Sequence, residues 1–175
     1  MHALTLHADL IESLADFWRR IFGPLLAITT AMCSSFKREL FLGLHNFDTS
    51  PGNTFKLALI KSGMGSTYGA ASTNYSDITS SPGDEVANSG TYTAGGGTLV
   101  SQGVTLSGTT AFVDFADISF TSATISADGC MIYNANVGNR AVSLHDFGGT
   151  KTSTNGTFSV VFPAADASNA ILRLA

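Results

Sequence analysis

Before Met32 the hydrophobic positions of this chain recur with a period near 3.6, and beyond it they alternate with a period of two. Leu10, Leu14, Phe17, Ile21 and Leu25 follow one another at steps of four, three, four and four, which places them on one face of an amphipathic helix over 4–22. Gly23-Pro24 ends that pattern, because proline lacks a backbone donor and restricts the residue before it. The stretch from Phe36 to Leu42 fits either a short helix or a strand and stops at Gly43. After the turn signal Ser50-Pro51-Gly52, Phe55, Leu57 and Leu59 alternate with Thr54, Lys56 and Ala58, as in a half-buried strand. Segment 62–98 is rich in Gly, Ser, Thr, Asn and Tyr, with turns at Ser81-Pro82-Gly83-Asp84 and Gly95-Gly96-Gly97. Long loops and one short edge strand near Thr91-Tyr92-Thr93 are expected there. Apolar stretches then recur at 99–106, 111–115, 118–125, 130–134, 141–147, 157–162 and 170–174. They are separated by Ser107-Gly108, Asp128-Gly129, Asn136-Gly138, Gly148-Gly149 and Asn155-Gly156.

Strands so spaced predict an all-β fold, an antiparallel β-sandwich, jelly-roll-like, with long Gly/Ser/Thr-rich loops and an N-terminal amphipathic helical extension. Asn155-Gly156 reads as a type I′ hairpin turn, in which Gly156→Val would cost about 1 kcal/mol because both central residues need positive φ. The chain divides into residues 1–32, the helical extension, and 33–175, the β module. Three readings of the extension stand beside one another. One is a twin-arginine leader on Arg19-Arg20-Ile21-Phe22, opposed by the acidic lead Asp9, Glu12, Asp16 and by Pro24. The second is a helical arm docking on a partner. The favoured one is an upstream extension of a chain whose natural start is Met32, so that deleting 1–31 leaves the β module folded.

Composition narrows the function classes. The chain is 44% hydrophobic and only 13% charged, so its polarity comes from hydroxyls, which suit outward strand faces. A net charge of −4 supplies no basic surface for phosphates, and nucleic-acid binding is disfavoured. No apolar run is long enough for a membrane span, and a soluble chain is expected. With nine Lys plus Arg in all, strand edges have little charge to guard them, and cover by neighbouring subunits, as in a homo-oligomer, is expected instead.

Candidate chemistry is sparse. Cys33 and Cys130 lack zinc or redox spacing and read as two reduced small hydrophobes. His45 with Asp48, and His145 with Asp146, could pair an imidazole with a carboxylate, but neighbours on a strand point to opposite faces. Asp114 and Asp117 could ligate calcium only across a turn, and hydrogen-bonded turn residues are the stronger reading. No nucleophile elbow, zinc-protease or phosphate-loop motif is present in the sequence. No catalytic residue, cofactor or metal site is therefore assigned, and no enzyme is expected. Tyr68, Tyr75 and Tyr92, in the polar loops, are the candidate interface residues, with 62–98 as the main contact surface.

The order Phe36-Lys37, Glu39-Leu40, Gly43, His45, Phe47, then 53–59, then Gly90-Thr91-Tyr92-Thr93-Ala94-Gly95-Gly96, resembles a family of small virion-associated structural proteins of tailed bacteriophages. Further matches are 111–117, Ile132-Tyr133-Asn134, Asp146-Phe147-Gly148, and 155–163 leading to Ile171-Leu172-Arg173, so that the likeness covers nearly all of 33–175. The resemblance implies a non-enzymatic virion component of the decoration, cement or tail-accessory type, made in the host cytoplasm, whose partners are capsid or tail subunits. It transfers no catalytic residue. The alternative is a tail-associated module that binds host-surface glycans through the loop aromatics.

Overall fold

The computed structural model describes residues 26–80 and 83–175. The helix expected over 4–22, its Gly23-Pro24 stop, Arg19-Arg20 and Ser81-Pro82 lie outside the described residues. The ambiguous stretch after Met32 is a helix, α1 (Ser34–Phe41), which buries Phe36 and Glu39, three residues apart on one face. Gly43, at φ 64°, takes the left-handed conformation that closes it. A single helical turn, α2 (Ser76–Thr79), lies within the segment read as loop.

The rest of the regular structure is strand: β1 (Ala31–Met32), β2 (Phe55–Lys61), β3 (Gly97–Thr98), β4 (Ser101–Ser107), β5 (Thr110–Phe115), β6 (Ile118–Asn134), β7 (Arg140–Val160) and β8 (Leu172–Leu174). They form a five-stranded sheet, β1-β7-β6-β2-β3, and a three-stranded sheet, β4-β5-β8. Every pairing between these strands is antiparallel, so the fold is all-β as the alternation predicted. The edge strand expected at Thr91-Tyr92-Thr93 is instead a tight turn closed by mutual Ser89 and Tyr92 hydrogen bonds.

The largest difference from the sequence reading is the β6–β7 ribbon. Four expected strands merge into two, of 17 and 21 residues, because Asp128-Gly129, Gly148-Gly149 and Asn155-Gly156 are irregularities within strands and not turns. The register shifts at Phe120/Ala123, Ala123/Ile125, Ala127/Gly129 and Ile132/Tyr133. Asn155, opposite this region, has φ 47° and Ser122 has φ 51°, the signature of β-bulges. Gly156 is not among the positive-φ residues, so the type I′ hairpin assigned to Asn155-Gly156 does not exist. The bulges bend the ribbon sharply. Phe147 and Phe158 would be about 36 Å apart on a straight strand, yet their ring centroids lie 6.3 Å apart. The loop 135–139 is the true hairpin connection, and Ser107-Gly108 opens another between β4 and β5.

The large sheet is covered on both faces. On one, Phe55, Leu57 and Leu59 of β2 stand beside Asn134, Ile132 and Cys130 of β6. This face meets α1, the 44–53 loop and the small sheet: Phe47 stacks on Phe55 at 4.2 Å, and Phe55 lies 5.7 Å from Phe115 of β5. On the other, Ala58 and Ile60 stand beside Met131 and Gly129 and are buried. The cover there is 62–98, where Tyr75 stacks on Tyr133 at 4.6 Å. Expecting Ala58 on an exposed face therefore fails, since the polar-looking loop segment is a layer of the fold.

The β module also begins earlier than residue 33. Ala31 and Met32 pair with Leu144 and Ser143 of β7, and Ile28 is buried and bridges to Tyr68. A Cβ at Gly129 would collide with the His145 carbonyl oxygen and with Ile28 Cδ1. The glycine thus opens the space in which Ile28 packs.

Candidate functional site

Beneath α1 a polar network joins four parts of the chain. Glu39, 2% exposed, accepts from Arg140 at 2.6 Å through Oε1 and from His45 Nε2 at 2.9 Å through Oε2. Asn134, fully buried on β6, donates through Nδ2 to His45 Nδ1 at 3.0 Å and to Asn53 Oδ1 at 2.9 Å. Two backbone N–H groups, which can only donate, fix both amides: Asn136 N–H points at Asn134 Oδ1 and Asn46 N–H at Asn53 Oδ1. His45 Nδ1 must then accept, and its proton sits on Nε2, facing Glu39. Every heteroatom of the His45 ring is spoken for by residues that hold α1 to the ribbon, which is a structural use of a histidine. Asp48, the partner weighed for His45 from spacing, is exposed and accepts from Thr49 N–H instead.

The three tyrosines point inward. Tyr68 is 4% and Tyr92 0% exposed. Tyr68 donates at 2.6 Å to Asp84, whose carboxylate also takes Gly65 N–H. Burial pushes that carboxyl up, but the Tyr68 hydroxyl, Gly65 N–H and Lys61 outweigh it and hold Asp84 below the ordinary carboxylate value. Tyr75 and Tyr92 both donate to Glu85, at 2.5 and 3.0 Å, and Gly95 N–H joins them. Tyr92 also accepts Leu59 N–H from β2. These rings therefore tie 62–98 down onto the sheet: Tyr68 and Tyr92 are buried and present no stacking platform, while other residues of the segment, Thr67, Ala71, Thr73 and Thr93 among them, stay exposed.

His145 and Asp146 are likewise apart. His145 Nε2 pairs with the buried Ser143 hydroxyl, two residues away on the same face, at 2.8 Å. Burial pushes its imidazole down to about 4. Among the described residues no carboxylate hydrogen-bonds that ring, and Asp146 accepts Gly148 N–H. Asp117 accepts Phe162 N–H, while Asp114 accepts Phe115 N–H through one oxygen and leaves the other, buried Oδ2 without a partner. Among the described residues no group of three or more His, Cys, Asp or Glu side chains is arranged to hold a metal ion. Cys33 and Cys130 are buried, unpaired thiols, both pushed up to about 12, chiefly by burial. No described helix is long and apolar enough to cross a membrane.

What the small sheet presents is an incompletely covered apolar face. Two cross-strand rows lie on it, Val104-Val113-Leu172 and Leu106-Ala111-Leu174. Val113 and Leu172 are buried against the core, but Val104 is 61%, Leu106 71% and Leu174 55% exposed. Between these rows and α1 runs a cleft of about 260 Å³, lined by Met32, Phe36, Leu40, Val104, Leu172 and Leu174 among others. Its lining is mostly apolar, with His45, Asn46 and Arg173 as its polar members. Sequence reasoning passed over this face because alternation shows which side of a strand is apolar and not how far its cover extends. Comparison of the chain with protein-family models, with curated proteins and with solved structures returns no match.

Proposed function

We propose that this protein is a non-enzymatic structural module that acts through contacts with other protein subunits, as a decoration, cement or accessory component of a tailed-phage particle. The observation that carries the contact reading is the open apolar face of the small sheet, with Val104, Leu106 and Leu174 turned to solvent beside an apolar cleft. Such an extended apolar exposure marks an interaction surface in a natural protein. The particle assignment rests on the ordered likeness of 33–175 to small virion proteins. In this reading the two sheets are the leaves of a sandwich, meeting through Phe55 and Phe115, and capsid or tail subunits are the partners. The buried positions of Tyr68 and Tyr92 remove two of the three rings that a glycan-binding reading would use. Mass spectrometry of purified particles from the phage that encodes the chain is the test. The protein is expected in stoichiometric amount, and particles lacking it are expected to melt at lower temperature, since a cement stabilises by binding only the assembled state. Its absence from purified particles would reject the assignment.

A further inference from the structure

The strand edges of this fold are not equally protected. β3 and β1 present two residues each. β8 is three residues long and carries Arg173. β7 beyond Leu144 has no strand on its outer side among the described residues, but it carries Asp146 and Lys151 and is broken by bulges. Short length, charge and bulges are the usual means of keeping an edge from pairing with another chain. β6 from Ile118 to Ser126 also lacks an outer strand and is uncharged, but the 89–92 turn caps it through hydrogen bonds with Thr121 and Thr124. That leaves β4: seven residues at the end of its sheet, within a run that has no charged residue between Glu85 and Asp114. Its one irregularity, at Gly103 with φ 85°, leaves Val104 to Ser107 in regular register with β5. Val104 and Leu106 are the two exposed apolar side chains of that segment.

We propose that β4 pairs antiparallel with β4 of a second copy of this chain, about a two-fold axis at Thr105, joining two three-stranded sheets into one of six. The occupant follows from the strand itself. An uncharged edge meets its own copy without like-charge repulsion, and a two-fold contact requires a surface that is self-complementary. Polarity then selects the register. Directly opposed residues share a face, so centring on Thr105 sets Val104 against Leu106 of the copy and Leu106 against Val104, with the two threonines facing each other. A shift by one residue would oppose apolar to hydroxyl side chains. Both apolar rows of the small sheet would then continue across the axis, with Val104 and Leu106 of each copy packed side by side against those of the other. The inference supplies a homotypic contact for the assembly reading, and it is tested on the isolated protein, so its failure is distinguishable from absence of the chain in particles.

The full chain is examined by sedimentation over a concentration series, together with Thr105→Cys under mild oxidation and Leu106→Lys. Paired threonines on the axis bring their Cα atoms to about 4.5–5.5 Å, within disulfide reach. Thr105→Cys should give a covalent dimer on a non-reducing gel, and the native chain should not, because Cys33 and Cys130 are buried. The native chain should sediment as a dimer and Leu106→Lys as a monomer with its thermal transition retained, Leu106 being exposed in one copy. A native chain that stays monomeric overturns the proposal. So does a native dimer in which Thr105→Cys fails to cross-link, which requires no judgement about whether Leu106→Lys folds.

Discussion

Asn134 ties the polar core together: it reads His45, Asn53 and the Asn136 backbone at once. Its neighbour in the network, Glu39, gathers Arg140 and His45 onto α1. Removing Glu39 leaves the buried His45 Nε2–H without an acceptor, while Arg140, 45% exposed, returns its guanidinium to water. Glu39→Ala is therefore expected to lose about 1–3 kcal/mol, measured by urea unfolding. A loss within error of zero would mean that the network does not hold α1. Asp114 gives the opposite sign. Burial first, then the nearby charges of Asp117 and Asp166, raise its carboxyl against the opposing Phe115 N–H. An acid whose folded pKa is raised binds more protons folded than unfolded between the two values, so stability falls as pH rises through that window. Asp114→Asn should consequently be more stable than the native chain at neutral pH, with the gain shrinking as pH is lowered toward the ordinary carboxylate value. An equal melting temperature at neutral pH would contradict this. At this scale the sequence was least legible. His45 beside Asp48 was visible as a spacing of three, whereas the actual partner, Glu39, comes from a helix whose orientation depends on the whole core.

Among the elements, alternation located six of the eight described strands, from Phe55-Leu57-Leu59 to the 170–174 stretch, but not β1 or β3, and Ser107-Gly108 and Asn136-Gly138 marked real turns. What alternation could not resolve was continuity. Asn and Gly tolerate positive φ, which serves a bulge as well as a turn. Only the partner strand decides between them, and β6 runs unbroken opposite Asn155. The conformational demand accordingly falls on Asn155, at φ 47°, and not on Gly156. A Cβ at Gly156 would meet nothing nearer than the Thr154 carbonyl oxygen at 3.6 Å. Asn155→Ala is expected to cost about 1 kcal/mol and Gly156→Ala less than that, read as shifts in melting temperature. The reverse order would restore the hairpin turn. The 62–98 segment was misjudged for a related reason: its small polar residues suggest solvent, but Tyr68, Tyr75 and Tyr92 carry their hydroxyls to Asp84 and Glu85 inside.

For the whole molecule, the division after residue 32 needs revision, since Ile28 and β1 are structural parts of the module. Ile28→Ala should lower stability by about 2–4 kcal/mol, as for other buried Ile truncations; no change would return the boundary to Met32. Fold class was legible from composition and period because hydroxyl-rich alternation admits few alternatives. The proposed contact face was not, because how far the cover over a strand's apolar side extends is decided by tertiary packing and not by alternation. The central claim is that this face works as a contact surface within a particle. Cryo-electron microscopy of the assembled particle tests it most directly: the account predicts density for this chain with Val104, Leu106 and Leu174 covered by protein, and it is contradicted by a map in which the chain is present but that face stands open to solvent.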